Sequence, residues 1–198
     1  MKQLYKPVLA LAAVALAFGF GMSCTGSDKP DAPRPGNVTT LPQAEDAIDE
    51  QLMIALGQAK NFHYKAKVYM SDGKVTEAIA SVRSILSLRF PANAPEADDV
   101  RNDARALLAR LLVSQNQLDD AMRVVEEGLA SVSRESFFVA NLYTVKGEVL
   151  QAQAELLVST GEPADGARAK EVRKQAIVAF DKSIAINEAL QKRILEEK

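Results

Sequence analysis

The chain has 198 residues, 47% of them apolar and 25% charged, which gives one domain a packed core and excludes wholesale disorder. Its formal charge is −2, and removing residues 1–23 takes away Lys2 and Lys6 and leaves 22 basic against 26 acidic residues. That balance excludes a nucleic-acid surface, while one Cys and one His exclude an internal disulfide, a Cys-based zinc site and a supported Ser-His-Asp arrangement.

The first segment reads as an export signal. Lys2 and Lys6 precede an apolar run from Val8 to Phe20, then Gly21-Met22-Ser23 leads to Cys24. The run is short for a membrane span and of the right length for a signal-peptide core. The stretch resembles the lipobox of bacterial lipoproteins. That resemblance implies cleavage before Cys24, acylation of its thiol and of the new amine, and so a stable lipid anchor. Ser23 and Gly21 meet the family's demand for small residues, although Gly21 stands where the family prefers Leu. Thr25, in place of the Asp that marks inner-membrane retention, implies the outer membrane. Two alternatives stay open: an ordinary signal peptide with Cys24 unmodified, and an uncleaved anchor helix. Cys24–Pro42 follows with Pro30, Pro33, Pro35 and Pro42 and almost no large apolar residue, the composition of an extended, flexible tether.

From residue 43 to 198 the apolar spacing is helical. Helices are predicted over Gln43–Met70, Lys74–Arg89, Glu96–Gln115, Leu118–Ala130 and Glu135–Ser159, and from Gly166 nearly to the end. The breaks fall at Ser71-Asp72-Gly73, Phe90–Pro95, Asn116, Ser131–Arg134 and Gly161-Glu162-Pro163. The fold class is therefore all-α, with about six helices.

Two helix pairs share a register. Ala66 and Ala78 are twelve residues apart, as are Ala109 and Ala121. Gly73 and Asn116 stand five residues before the second alanine of each pair, and Val75 and Leu118 three before. This register resembles the tetratricopeptide repeat family, in which small residues on two antiparallel helices permit close approach. A third, stretched unit uses Gly147 and Ala176, with Phe180 beside Ala176. The resemblance implies a superhelix of antiparallel helix pairs. The spacings of 43 and 55 residues between Ala78, Ala121 and Ala176 depart from the family's unit of about 34. The family's aromatic is present as Phe62 and Tyr143, but Arg105 replaces it in the middle unit. An ordinary helical bundle with recurring alanines is the alternative.

In that family the first helix of each pair lines a concave groove. By register the groove would present Lys60, His63, Lys67 and Met70, then Asp103, Ala106, Arg110 and Val113, then Asn141, Thr144, Glu148 and Gln151. Lys60, Lys67, Arg110 and Asn141 would make it mildly basic and polar, suited to an acidic or C-terminal peptide segment. Solvated helix faces are the plain alternative.

No phosphate loop, HExxH or GxSxG occurs. His63 has no second ligand in view. Asp119-Asp120 and Glu126-Glu127 suit helix starts and solvated faces. Tyr64, Tyr69, Phe137, Phe138 and Tyr143 are expected in the core. The expectation is a lipid-anchored protein-interaction scaffold or assembly factor for an unidentified envelope partner, without enzymatic activity, cofactor or metal. A solute- or small-ligand-binding accessory protein of a transport system is the alternative.

Overall fold

The computed structural model describes residues 44–92 and 94–197, with side chains from Glu50 onward. Residues 1–23, the Cys24–Pro42 segment with Cys24, the residue expected to be lipidated, and Gln43 lie outside the described residues. The described part is all-helical: α1 (Ala44–Ser71), α2 (Val75–Leu86), α3 (Pro95–Ser114), α4 (Leu118–Ala130), α5 (Phe137–Ser159) and α6 (Pro163–Glu196).

The helix starts follow local chemistry. Pro95 and Pro163 open α3 and α6 instead of closing the preceding loops, because a first-turn residue needs no backbone N–H and proline's φ already suits it. Helix α6 therefore begins before Gly166. Helix α5 begins at Phe137, not Glu135, capped by Ser136, whose side chain accepts from the Val139 N–H. Helix α2 ends at Leu86, three residues short of Arg89.

The turns after α1 and α3 are the same motif. Gly73, at φ 72°, donates to the Met70 carbonyl at 3.1 Å, and Lys74 donates to Tyr69 at 2.8 Å. Asn116, at φ 56°, donates to Val113 at 2.9 Å, and Gln117 donates to Leu112 at 2.9 Å. Both are Schellman ends with one left-handed residue, a conformation that Gly and Asn tolerate best. The turn after α5 differs. Gly161 is left-handed, but the Glu162 N–H goes to Thr160 Oγ1 at 3.2 Å.

Each helix packs on the next. In addition α1 touches α3 and α3 touches α5, whereas α2, α4 and α6 do not meet one another among the described residues. The odd-numbered helices thus form one layer and the even-numbered ones stand behind it. Ala66, Ala78, Ala109 and Ala121 are fully buried between the layers, with Val82, Leu112, Val125, Leu142 and Val145 filling the space around them. Small side chains set the interaxial distance and the aliphatics fill the grooves between ridges. The α5–α6 seam is made of small residues from both sides: Ala140, Gly147 and Ala154 on α5, Ala169, Ala176, Ala179 and Ser183 on α6. Ile186 closes a smaller apolar cluster with Val139 and Ala140. Every buried side-chain polar atom among the described residues has a hydrogen-bond partner.

Gly128 on α4 is a close-packing residue outside the alanine register. A Cβ there would lie 2.8 Å from Leu142 Cδ1 and 3.0 Å from Arg105 Cδ. Arg105 thus lays its aliphatic stem over a glycine. Burial pushes its guanidinium below its usual pKa, with Glu127 opposing.

Candidate functional site

A groove opens on the odd-numbered layer between α1 and α3. Helical spacing puts Leu56, Lys60, His63 and Lys67 in one row along α1, and Glu96, Asp99, Val100 and Asp103 in a facing row along α3. Ala59, Ala104 and Ile85 form its floor and Phe138 closes one end, around a cavity of about 550 Å³. Ala59 and Ala104 are small and buried, which leaves room above them.

The two walls carry opposite charge. Lys60 and Lys67 stand on α1, and Glu96, Asp99 and Asp103 stand on α3. His63 Nδ1 reaches across to Asp103 Oδ2 at 3.8 Å, too far for a hydrogen bond. Lys60 Nζ lies 5.8 Å from the Tyr64 ring centre on its own helix. Among the described residues neither Lys67 nor Glu96 has an ion-pair partner, so both remain available to an incoming group.

Past Phe138 and Asp99 the groove runs into a second cavity of about 650 Å³, lined by Arg134, Phe137, Leu190, Ile194 and Leu195 among others. Arg134 pairs with Asp99 at the junction. Phe137 is 63% exposed and meets Phe138 edge to face, with centroids 5.6 Å apart. The aromatic residues are therefore not all core. Phe137 and Tyr64 are surface residues, and Tyr69, Phe138 and Tyr143 are half-buried.

Of the residues expected to line a groove, Lys60, His63, Lys67 and Asp103 come together. The others do not. Met70 is exposed at the end of α1, away from the cavity, while Ala106 and Val113 pack into the core. Arg110 is not a free cation. Its Nε donates to Glu148 Oε2 at 2.8 Å, and its Nη2 donates to Glu148 Oε1 at 3.1 Å and to Asn141 Oδ1 at 3.2 Å. That bidentate clamp ties α3 to α5 and occupies three of the expected groove residues at once. Thr144 turns into the α5–α6 seam, where its hydroxyl shares a 2.8 Å hydrogen bond with Ser183. Gln151 donates to Glu155 on its own helix. The basic trough expected from the register is instead a groove with one basic and one acidic wall.

Among the described residues no Ser, Thr or Cys lines the first cavity, and the hydroxyl nearest His63 in its lining is the phenol of Tyr64. Among the described residues no three of His, Cys, Asp and Glu group as metal ligands, and no helix is long and apolar enough to cross a membrane. No protein-family model, curated protein or solved structure matches this chain.

Proposed function

We propose that this chain is an envelope lipoprotein held to a membrane by acyl chains on Cys24, and that its helical body is a scaffold of the tetratricopeptide-repeat kind. The groove between α1 and α3 would grip a segment of a partner protein. The repeat reading is supported by the two matching Schellman turns, the four fully buried alanines and the layer of odd-numbered helices. The anchor reading rests on the residues before Cys24, and Thr25 favours the outer membrane.

The observation that carries the function is the groove's chemistry: an apolar floor between a lysine wall and a carboxylate wall, with Lys67 and Glu96 unpaired among the described residues. Apolar floors bind side chains, and flanking charges fix orientation and register. The segment that fits has one or two apolar anchors with an acid on one side and a base on the other. An amphipathic helix laid along the groove meets that description. The cavity's size also lies in the range of small-molecule sites, which is the one observation favouring a solute-binding accessory protein.

The test is a photo-crosslinker at position 63 in native envelopes, with mass spectrometry of what is captured. A reproducible protein partner is expected, and its recovery should fall about tenfold or more in Lys60→Glu/Lys67→Glu, a loss of about 1.4 kcal/mol. Equal recovery by the variant would remove the groove from the account. Capture of no protein, with a small molecule retained in the native mass spectrum, would favour the solute reading. The anchor has its own check. Labelled palmitate should enter the wild type and be lost in Cys24→Ala, and an unlabelled wild type would overturn it.

A further inference from the structure

We propose that α1 is also a self-association helix, and that two copies of this chain pair antiparallel through the face of α1 turned away from the core, crossing at Gly57. Ala55, Ala59 and Ala66 mark the buried face of α1. Met53, Gly57, Tyr64 and Val68 each stand two residues from one of them, about 200° round the helix. No other helix among the described residues covers this stripe, although the Lys60 ammonium lies beside the Tyr64 ring: Met53 is 71% exposed, Tyr64 54% and Val68 59%, with Ile54 beside them at 55%.

Gly57 lies in the middle of the stripe. A Cβ built there meets nothing within 4 Å, and its backbone is ordinary helix, so neither packing nor conformation within its own chain asks for glycine. Glycine inside an exposed helix is unfavourable relative to alanine. A second backbone crossing at this point is what gives it a use, since two helices approach most closely where both lack a side chain.

Charge order along α1 selects the occupant. The sequence of the helix places Glu45, Asp46, Asp49 and Glu50 in its first half and Lys60, Lys65 and Lys67 in its second. The helix dipole does not account for the lysines, because its effect fades within a turn and the last turn of α1 carries no basic residue. A parallel pair would set like charges together. An antiparallel pair crossing at Gly57 sets the acidic half of each copy along the basic half of the other, with Glu50 of one copy beside Tyr64 of the other. The surface is thus complementary to itself, as a two-fold interface must be. Contact over about six turns of two helices buries on the order of 1,000 Å², which places the pair at the weak, reversible end of specific association.

The test uses the full chain in detergent. Sedimentation should show a concentration-dependent dimer, and Val68→Glu, an exposed position facing the acidic half, should raise its Kd about tenfold or more. In a Cys24→Ser background, Gly57→Cys should form a covalent dimer on oxidation, because a residue at a two-fold crossing meets its own copy. Arg83→Cys, exposed on α2, should not. Sedimentation as a monomer at every concentration, or equal crosslinking of both cysteine variants, would overturn the proposal. So would crosslinking of Gly57→Cys in native envelopes to a protein of another mass. Lys60, Tyr64 and Lys67 also line the α1–α3 groove, so the sedimentation and oxidation readouts are taken on the purified chain, where no groove partner is present.

Discussion

Gly147→Val is expected to lower the unfolding free energy by about 2–3 kcal/mol, the upper part of the usual overpacking cost. For a body of this size that is a fall in Tm of about 5–10 °C. A Cβ at Gly147 would sit 2.5 Å from Phe180 Cε1 and 2.6 Å from Cζ, far inside carbon contact distance. The ring is rigid, and Phe180, half-buried, lies on α6 one residue after Ala179, beside a seam of small residues. Either the ring swings out and forfeits its packing, or α6 backs away from α5 and opens the Thr144–Ser183 hydrogen bond. Gly147→Ala should cost less, because alanine regains about 1 kcal/mol of helix propensity. The clash is separable from propensity by a double-mutant cycle with Phe180→Ala, in which Gly147→Val should cost much less than in the wild type. Gly57→Ala is the control. It meets nothing within 4 Å, and the single chain should gain up to about 1 kcal/mol. Urea unfolding with an unchanged m-value is the measurement, and a wild-type midpoint for Gly147→Val would show that α5 and α6 do not lie this close.

The helices were legible in the sequence because their ends are written in residues with one physical meaning. Gly73 and Asn116 take the left-handed conformation that closes a Schellman end, and both occur five residues before a buried alanine. Sequence alone places Pro95 and Pro163 in loops because proline cannot continue a helix, although the same property suits it to begin one. Gly128 was missed although a signal was present: it follows Ala121 by seven residues, two turns along the same face. The groove was half legible. Register along α1 picks out Lys60, His63, Lys67 and Met70, of which the first three line the cavity, because residues on one helix share a face by spacing alone. What faces that row depends on how α3 and α5 are rotated about their own axes, which spacing does not encode. Arg110 and Glu148 are 38 residues apart, and Thr144 and Ser183 are 39 apart. Those pairings turned three expected groove residues into a clamp and a fourth into a seam contact. The long exposed continuation of the groove arises where α6 passes Phe137 and Phe138, and no local pattern brings residues 190–195 to residues 137–138.

Ala109→Leu is expected to cost about 3 kcal/mol, again at the upper end for an added core side chain. Ala109 is fully buried on α3, and α3 packs on α1, α2, α4 and α5, so it has no free side toward which to relax. The paired alanine Ala121 faces the same crossing, and no rotamer of leucine fits between two helices spaced for methyl groups. Ala80→Leu and Ala130→Leu, both exposed, should stay within about 0.5 kcal/mol of the wild type. The consequence extends to the groove, because α3 carries its acidic wall. If α3 tilts to admit the leucine, Glu96, Asp99 and Asp103 move relative to Lys60 and Lys67. Crosslinking from position 63 should then fall even at temperatures where the variant is folded. Equal midpoints for Ala109→Leu and Ala80→Leu would mean that α3 and α4 do not approach through their alanines, and the repeat reading would lose its physical basis. An unstable Ala109→Leu that still captures the proposed partner fully in the cold would be compatible with the repeat reading and would separate the groove from the packing behind it.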